Sequence, residues 1–395
     1  MSGARRKAEI PVLWDCGARG IPIAITAVNG VRRMAAARGY AVRLYEGCEQ
    51  LLADSPAHLP VIVVGSESTR MPIVLHQLQR ASRCVVVTSM DADHIDAHYS
   101  CSTFSRRIAT EQLLEFMLDK GCRRIALVGC GDRSVNDMVH SDAMERYLRK
   151  SGRARGRSFW YQARISESFE SFLSQKANFD AVLCPNDFAA VAFMRFLENR
   201  GVRVPEDLLL ASFKSNFISE YCKPSITSFM VDFYAMGENA VTVWTFLADA
   251  GNDRLQMRIT VPGRIVERES TGKEAPAACR EPDLDGVSSY QGGPFYDDPM
   301  LQSLMRVERC FQSCDELDLR IIGLMLDNCN YEYISDALFL SGSSLQYRAR
   351  KIFRMAETEN RRDFINLLRG CFTREHHLSQ SGPVIDDAHL PRRHE

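Results

Sequence analysis

Short apolar runs alternate with amphipathic stretches along residues 8–272. The apolar runs predict β-strands, which include residues 11–14, 41–45, 61–64, 84–88, 124–128, 181–184 and 208–213. Between them, apolar residues recur at helical spacing and predict helices that include residues 25–38, 106–120, 141–150, 189–200 and 234–250. This alternation is typical of parallel sheets covered by helices on both faces, and its length indicates two α/β lobes.

A different, wholly helical pattern fills residues 300–373. An apolar helix is predicted at residues 319–326, and a short second helix at residues 331–338. A basic amphipathic helix then follows Ser341, whose hydroxyl is suited to cap it. The predicted buried stripe of this helix is Leu345, Ala349, Ile352 and Ala356. Two helices, a tight turn and a basic helix are typical of a helix-turn-helix, which lays its second helix in a DNA major groove.

The polar face of the last helix suits a polyanion. Four cations and no acid lie between Ser341 and Ala356. The residues expected to face DNA or to flank that face are Ser343, Ser344, Gln346, Tyr347, Arg348, Arg350, Lys351 and Arg354. Arginines suit phosphates and guanine edges, and a glutamine suits adenine. An ordinary charged surface helix is the alternative, because basic and acidic residues nearly balance over residues 301–373.

From Phe339 to Ala356 the sequence resembles the end of a LuxR/NarL-type helix-turn-helix. Members of that family carry an aromatic or apolar pair and a serine before Thr-Val-Lys and a basic helix, and here the serine is Ser341. The resemblance implies that Ser344, Gln346 and Tyr347 approach bases or phosphates. It also implies that three cations of the helix, Arg348, Arg350 and Lys351, mainly hold the DNA backbone. Gln346 departs from the lysine of the family pattern.

Composition adds domain boundaries. A chain of 395 residues suggests two or three domains, and its net charge of −1 indicates no particular partner. Residues 273–299 are rich in Pro, Gly, Ser and acids and predict a linker, and residues 374–395 predict a disordered tail. The thirteen cysteines have neither a CxxC pair nor zinc-like spacing. With no signal-peptide or membrane-span pattern, we expect a cytoplasmic protein with reduced thiols, no metal or other cofactor, and no membrane partner.

A second resemblance covers the alternating region. Segments similar to motifs of LacI/GalR-type effector domains occur in that family's order at residues 122–129, 179–187, 201–207, 224–227, 236–241 and 267–271. The resemblance implies a periplasmic-binding-protein-like fold, with two α/β lobes, a three-strand hinge and a ligand cleft. It also implies that the protein is a homodimer.

Candidate effector-binding residues lie where predicted strands end, because ligands bind beyond the carboxyl ends of parallel strands. They are Asp15, Arg19, Ser66, Asn136, His140, Asn186 and Lys214. Sugar- and purine-binding members of the family carry an aspartate where this chain has Lys214, and an arginine where it has His140. These departures predict a small, anionic, non-sugar effector. An internal ion pair, or a scaffold without a ligand, are the alternatives.

Together these patterns predict a DNA-binding transcription regulator whose sensor controls a C-terminal helix-turn-helix. Too few residues precede the first predicted strand for the N-terminal helix-turn-helix usual in LacI/GalR repressors. The expected partners are double-stranded DNA, a small-molecule effector and a second copy of the chain. The alternative is a ligand-binding or scaffold protein whose C-terminal helices bind another protein. No GxSxG, phosphate-loop or HExxH motif predicts an enzyme, so no catalytic residue is expected.

Overall fold

The computed structural model describes residues 9–14, 22–65, 71–91, 98–250, 255–272, 298–372 and 378. The first part contains β1 (Glu9–Trp14), α1 (Pro22–Ala37), β2 (Ala41–Tyr45), α2 (Cys48–Asp54), β3 (Val61–Val64), α3 (Met71–Arg80), β4 (Val85–Asp91), β5 (Ser100–Phe104) and α4 (Arg106–Asp119). Next come β6 (Arg124–Gly131), α5 (Val135–Ser151), β7 (Arg155–Tyr161), α6 (Ser166–Leu173), β8 (Ala181–Leu183), α7 (Asp187–Glu198), β9 (Leu209–Lys214), α8 (Phe217–Tyr221) and β10 (Thr227–Val231). The last part contains α9 (Phe233–Ala250), β11 (Arg258–Thr260), β12 (Gly263–Val266), α10 (Pro299–Gln312), α11 (Glu316–Leu326), α12 (Tyr331–Ala337), α13 (Gly342–Met355) and α14 (Arg361–Cys371).

The chain divides into two compact units, and the first of them consists of Met1–Ile108 and Val231–Gly263. Its described strands form a sheet in the order β11-β5-β4-β3-β1-β2. Pairing is parallel, with Val12 of β1 opposite Leu44 of β2 and Ile62 of β3. All four residues of β3 are buried. A continuous apolar strand of this kind is expected where helices cover both faces of a parallel sheet.

Two helices of this unit, α1 and α9, pack closely at glycines. A Cβ atom added at Gly30 of α1 would collide with the carbonyl oxygen of Tyr234. A Cβ atom added at Gly237 of α9 would collide with the carbonyl oxygen of Ala27. The pair therefore depends on glycine at both positions, because only a residue without a side chain lets the two backbones approach this closely.

The second unit consists of Ala109–Met230 and Arg264–Glu395, so it also contains the C-terminal helices. Its described strands form a sheet in the order β12-β10-β9-β8-β6-β7. The pairs β6–β7, β6–β8, β8–β9 and β9–β10 are parallel. The chain passes between the two units more than once, and the predicted α/β fold with parallel sheets and helices is confirmed.

Residues 299–372 form the C-terminal helical domain, and its core is continuous with that of the second sheet. Helix α10 packs on α7 and α8. The ring of Phe311 on α10 meets the ring of Tyr221 on α8 edge-on, with centroids 5.6 Å apart. On the same helix, Leu301, Leu304 and Val307 are buried. The sequence predicted a separate domain behind a linker and did not predict this apolar contact.

Most predicted elements are present, with differences at their ends. The strands predicted at residues 41–45 and 61–64 have the same bounds in the structure. The helix predicted at residues 141–150 is α5, which starts at Val135 because Ser134 caps it by accepting a hydrogen bond from the Asp137 amide. Helix α10 begins at Pro299, the last residue predicted as linker, and residues 273–297 and the predicted tail lie almost wholly outside the described residues. None of the described helices is long and apolar enough to cross a membrane.

Candidate functional site

Helix α13 is built as its sequence predicts. The hydroxyl of Ser341 accepts a hydrogen bond from the amide of Ser344, 3.2 Å away, and so caps the helix. Leu345, Ala349 and Ile352 are buried on one side. The cap and the apolar stripe fix which side chains face outward, so both predictions for this helix are confirmed.

The preceding turn places an aromatic side chain beside the start of α13. Helix α12 is capped by Asn330, whose side chain accepts a hydrogen bond from the Tyr333 amide over 2.8 Å. Phe339, in the turn between α12 and α13, adopts a left-handed φ of 54°. Its side chain is 97% exposed. A left-handed conformation is uncommon outside glycine, and here it lets the chain reverse into α13.

The outward side of α13, hereafter the α13 face, consists of the exposed residues Ser343, Gln346, Tyr347, Arg350 and Arg354. Tyr347 is 73% exposed. Among the described residues, neither Arg350 nor Arg354 has an ion-pair partner. The α13 face therefore presents two uncompensated guanidinium groups, an amide and a phenol at helical spacing.

Two other cations of α13 are held inside the domain. Arg348 Nη1 lies 2.6 Å from Asp318 Oδ1 and 2.9 Å from Asp315 Oδ2. Lys351 Nζ lies 3.0 Å from Asp318 Oδ2, and the Asp318 side chain is fully buried. These two carboxylates also form the capping box of α11. Arg348 and Lys351 thus join α13 to α11, which the sequence did not predict, and their contact with DNA stays a prediction.

These ion pairs shift the pKa values of the groups involved. Burial acts to raise the pKa of Asp315, but hydrogen bonds from Arg348 and from the Asp318 amide outweigh it and the pKa is lowered. The hydrogen bond to Asp315 raises the pKa of Arg348, and the one to Asp318 raises the pKa of Lys351. These shifts favour the charged forms of Asp315, Arg348 and Lys351.

Hydrogen bonds join the C-terminal end of α13 to α10. Arg306 of α10 donates to the carbonyl oxygens of Ala356 and Glu357, at 2.9 and 2.6 Å. Arg309 donates to the Glu357 carboxylate over 3.0 Å. The thiol of Cys310 donates to the carbonyl oxygen of Ile352, 3.7 Å away. The position of α13 is therefore tied directly to that of α10.

A second group of predicted residues lies near the ends of strands in the second sheet. His140 is fully buried, with Nδ1 2.7 Å from the Thr110 hydroxyl. Its ring packs on that of Phe213, with centroids 4.1 Å apart. Lys214 follows Phe213 at the end of β9 and adopts a φ of 98°. The structure thus brings His140 next to the end of β9, and a role of His140 and Lys214 in effector binding stays a prediction.

Asn186 and Asp187 begin α7 at the neighbouring strand end. Asn186 Oδ1 accepts the Ala189 amide over 3.0 Å and caps the helix. The fully buried Asp187 carboxylate accepts hydrogen bonds from the hydroxyls of Ser212 and Ser228 and from the Asn216 amide. Burial raises the pKa of Asp187 above its usual range, although these hydrogen bonds oppose the shift. The sequence predicted a polar loop here, but it did not predict the hydrogen bonds that join Asp187 to the end of β9 and to the residues after it.

Asn136 completes the described candidates. It lies in the first turn of α5 and is 8% exposed, and among the described residues its side-chain oxygen has no hydrogen-bond partner. The hydroxyl of Tyr161 is also buried and has no hydrogen-bond partner among the described residues. Asp15, Arg19 and Ser66 lie outside the described residues. Within the described part of the chain, no group of three His, Cys, Asp or Glu side chains is arranged to hold a metal ion.

Part of the α/β region is similar to known proteins. Residues 114–271 match the family model of the periplasmic binding protein-like domain. Catabolite control protein A of Staphylococcus aureus (strain Mu50) is 26% identical to this chain over 201 residues. Residues 114–271 thus resemble a periplasmic binding protein-like domain. The alignment covers 49% of this chain and 59% of that relative, so the chain spans less than two thirds of the curated protein it matches.

Solved structures share the two-unit α/β fold of this chain. A Lac repressor dimer bound to its operator and an anti-inducer has a TM-score of 0.55 and 19% identity, over 68% of this chain and 82% of that chain. The catabolite control protein of Lactococcus lactis has a TM-score of 0.54 and 19% identity, over 67% of this chain and 99% of that chain. At this identity the likeness establishes the fold alone. The C-terminal helical domain lies outside the residues that the family model matches.

Proposed function

We propose that this protein is a DNA-binding transcription regulator, in which a LacI/GalR-type sensor controls a C-terminal LuxR/NarL-type helix-turn-helix. The observation that carries the proposal is the α13 face. Arg350 and Arg354 are exposed and uncompensated there, next to Gln346 and Tyr347. A helix of this kind fits a major groove, where arginines neutralise phosphates or bind guanine, and glutamine binds adenine.

The names of similar proteins support the regulatory role. A relative from Staphylococcus aureus is a catabolite control protein, and one from Escherichia coli K12 is named a helix-turn-helix transcriptional regulator. We infer a cytoplasmic homodimer, because the Lac repressor structure is a dimer on its operator. Two α13 helices would then occupy half-sites about one helical turn of DNA apart. We propose no catalytic activity.

The proposed effector binds beside the ends of β6, β8 and β9. Asn136 supports this assignment, because its buried oxygen has no partner within the described residues and so suits a ligand that donates a hydrogen bond. His140 and Asn186 have intramolecular hydrogen bonds, which hold their side chains in place. The effector itself is a small polar molecule, and Lys214 favours an anionic group on it.

A protein partner for the C-terminal helices is the second candidate function. The observation in its favour is the exposure of aromatic side chains around α13, which are Tyr333, Phe339 and Tyr347. Exposed aromatic residues are enriched where proteins bind one another. The charge of the α13 face favours DNA as the main partner, and the experiment below separates the two.

The test is selection of genomic DNA fragments by the purified full chain, followed by affinity measurements over a range of salt concentrations. We expect enrichment of a two-fold symmetric motif. The double variant Arg350→Ala/Arg354→Ala should lose most of the affinity, and its salt slope should fall by about two. Point variants suit this test better than truncation before α10, because removing α10 would uncover the buried Ile218 and Tyr221.

The matched control is Arg146→Ala/Arg149→Ala, which removes the same charge from exposed positions on α5. This control should bind DNA like the unchanged protein. Failure of the unchanged protein to enrich any fragment at low salt would overturn the proposal and turn attention to a protein partner. Equal losses in both double variants would mean that net charge, rather than the α13 face, attracts DNA.

A further inference from the structure

We propose that α10 transmits a displacement at the end of β9 to the C-terminal helical domain. The hydrogen bonds of Glu308 to the first turn of α8 couple the strand end to α10. This inference rests on the proposed function, because it assigns the regulation of that same site. It assigns the transmission to a packed helix and not to the predicted linker of residues 273–299. The contacts that support it all lie within the second unit.

Glu308 lies at the centre of the contact between α10 and α8. Its side chain is fully buried. Oε1 accepts the Phe217 amide over 3.2 Å, and Oε2 accepts the Ile218 amide over 2.8 Å. A buried carboxylate is costly unless it is hydrogen-bonded, so these two bonds fix α10 against the first turn of α8. A shift of α8 would have to move α10 or leave Glu308 without these two backbone donors.

The proposed effector edge lies immediately upstream. Lys214 and Ser215, both with positive φ, connect β9 to Asn216 and the first turn of α8. The Asn216 amide donates to Asp187 over 2.6 Å. The Ser215 amide donates to the Ser228 hydroxyl over 2.9 Å, which in turn donates to Asp187. These hydrogen bonds restrict movement of the segment. A displacement at Lys214 is therefore passed to the amides of Phe217 and Ile218, which donate to Glu308.

The link continues downstream from Glu308 to the α13 face. One residue away, Val307 is buried in the core that α10 shares with the other helices. Arg306 and Cys310, on either side of Glu308, bond to carbonyl oxygens at the end of α13. A rotation or sliding of α10 would thus carry α13 with it. Packed elements joined by specific hydrogen bonds transmit a displacement that a flexible linker would absorb.

The experiment measures amide hydrogen exchange in the full chain and needs no effector. Lys214→Gly perturbs the strand end, and Glu308→Gln weakens the coupling contact without changing its size. We compare the unchanged protein, both single variants and the double variant. Lys214→Gly should alter amide exchange in α8 whether position 308 is glutamate or glutamine. In α10 and α13, Lys214→Gly should alter exchange by roughly two- to thirty-fold when Glu308 is present. The change in α10 and α13 should be much smaller in the double variant, which also contains Glu308→Gln.

Glu316→Gln is the matched control, because it makes the same chemical change at an exposed position on α11. It should transmit the Lys214→Gly effect like the unchanged protein. The proposal is overturned if Lys214→Gly leaves α10 unchanged, or if Glu308→Gln transmits the effect in full. If Glu308→Gln does not fold, as judged by circular dichroism, Phe311→Leu replaces it, because it trims the contact with Tyr221 at the same interface.

DNA affinity measured on the same proteins separates this inference from the proposed function. If Lys214→Gly leaves exchange in α10 and α13 unchanged while Glu308 is present, and operator binding is normal, the route through Glu308 is refuted and the DNA-binding role stays intact. Transmission in a protein that binds no DNA refutes that role but supports the mechanical coupling. Transmission together with a parallel change in operator affinity supports both.

Discussion

Arg348 on α13 donates a hydrogen bond to the buried carboxylate of Asp318 on α11, over 2.6 Å. Lys351 approaches the other oxygen of the same carboxylate. Asp318 is fully buried and depends on these two cations to offset its charge. Basic residues on one helix therefore divide into two sets, since Arg348 and Lys351 contact acids while Arg350 and Arg354 face outward.

This division predicts opposite effects for neighbouring arginines. Arg348→Met should lower the free energy of unfolding by about 1–3 kcal/mol, because Asp318 loses a charged partner. Arg350→Ala should change that free energy by less than about 0.5 kcal/mol, yet lower the salt slope of DNA binding by about one. Urea denaturation and salt titrations measure the two quantities. The same pattern of effects in both variants would contradict the division.

Periodicity was sufficient to predict the α13 face but not its ion pairs. Leu345, Ala349 and Ile352 share a stripe because helical spacing alone fixes them on one side. The partners of Arg348 lie more than thirty residues away along the chain, on another helix. Single-residue patterns contain no information about such tertiary pairing, so the sequence placed Arg348 and Lys351 at the flanks of the face without predicting their ion pairs.

The contact between α10 and α8 predicts cooperative unfolding. Phe311 is almost fully buried between Tyr221 and Phe372. Phe311→Ala should lower the free energy of unfolding by about 3–5 kcal/mol, because it leaves a cavity at this shared core. Hydrogen exchange should rise in α8 as well as in α10, and Tyr347→Ala, at an exposed position, is the control. A rise confined to the C-terminal helices would mean that the two parts unfold independently.

The strand end offers a test of backbone strain. Lys214 has a φ of 98°, a conformation that glycine adopts at little cost and other residues rarely adopt. Lys214→Gly should therefore raise the free energy of unfolding by about 1 kcal/mol, as measured by urea denaturation. The same change at Arg43, in the middle of β2, should destabilise the protein. A loss of stability in Lys214→Gly would mean that the lysine side chain contributes more than the strain costs.

The sequence could predict where the strand-end residues lie because strand patterns and family-like motifs both marked the loops. It named His140 and Lys214 as candidate effector-binding residues through the family resemblance. It could not predict that Glu308 is buried, since an acid on an amphipathic helix normally faces water. The burial arises only when α10 packs on α8, where backbone amides of Phe217 and Ile218 are available as donors.

The buried Glu308 predicts a pH-dependent stability. Burial raises the pKa of its carboxyl from the ordinary 4.5 to about 7, although hydrogen bonds from the Ile218 and Phe217 amides oppose the shift. The folded protein therefore holds a proton on Glu308 that the unfolded chain releases above about pH 4.5. The stability contributed by this group is complete below that pH and is lost as the pH rises through about 7.

Replacing the carboxyl isolates this contribution, because other buried acids such as Asp187 titrate in the background. We measure the free energy of unfolding by urea denaturation between pH 5 and pH 8 for the unchanged protein and for Glu308→Gln. Relative to the glutamine variant, the unchanged protein should lose up to about 3 kcal/mol over this range. Glu316→Gln, at an exposed position, should show no such pH-dependent difference. A constant difference between the unchanged protein and Glu308→Gln would mean that Glu308 titrates normally, and that water reaches its carboxyl in solution.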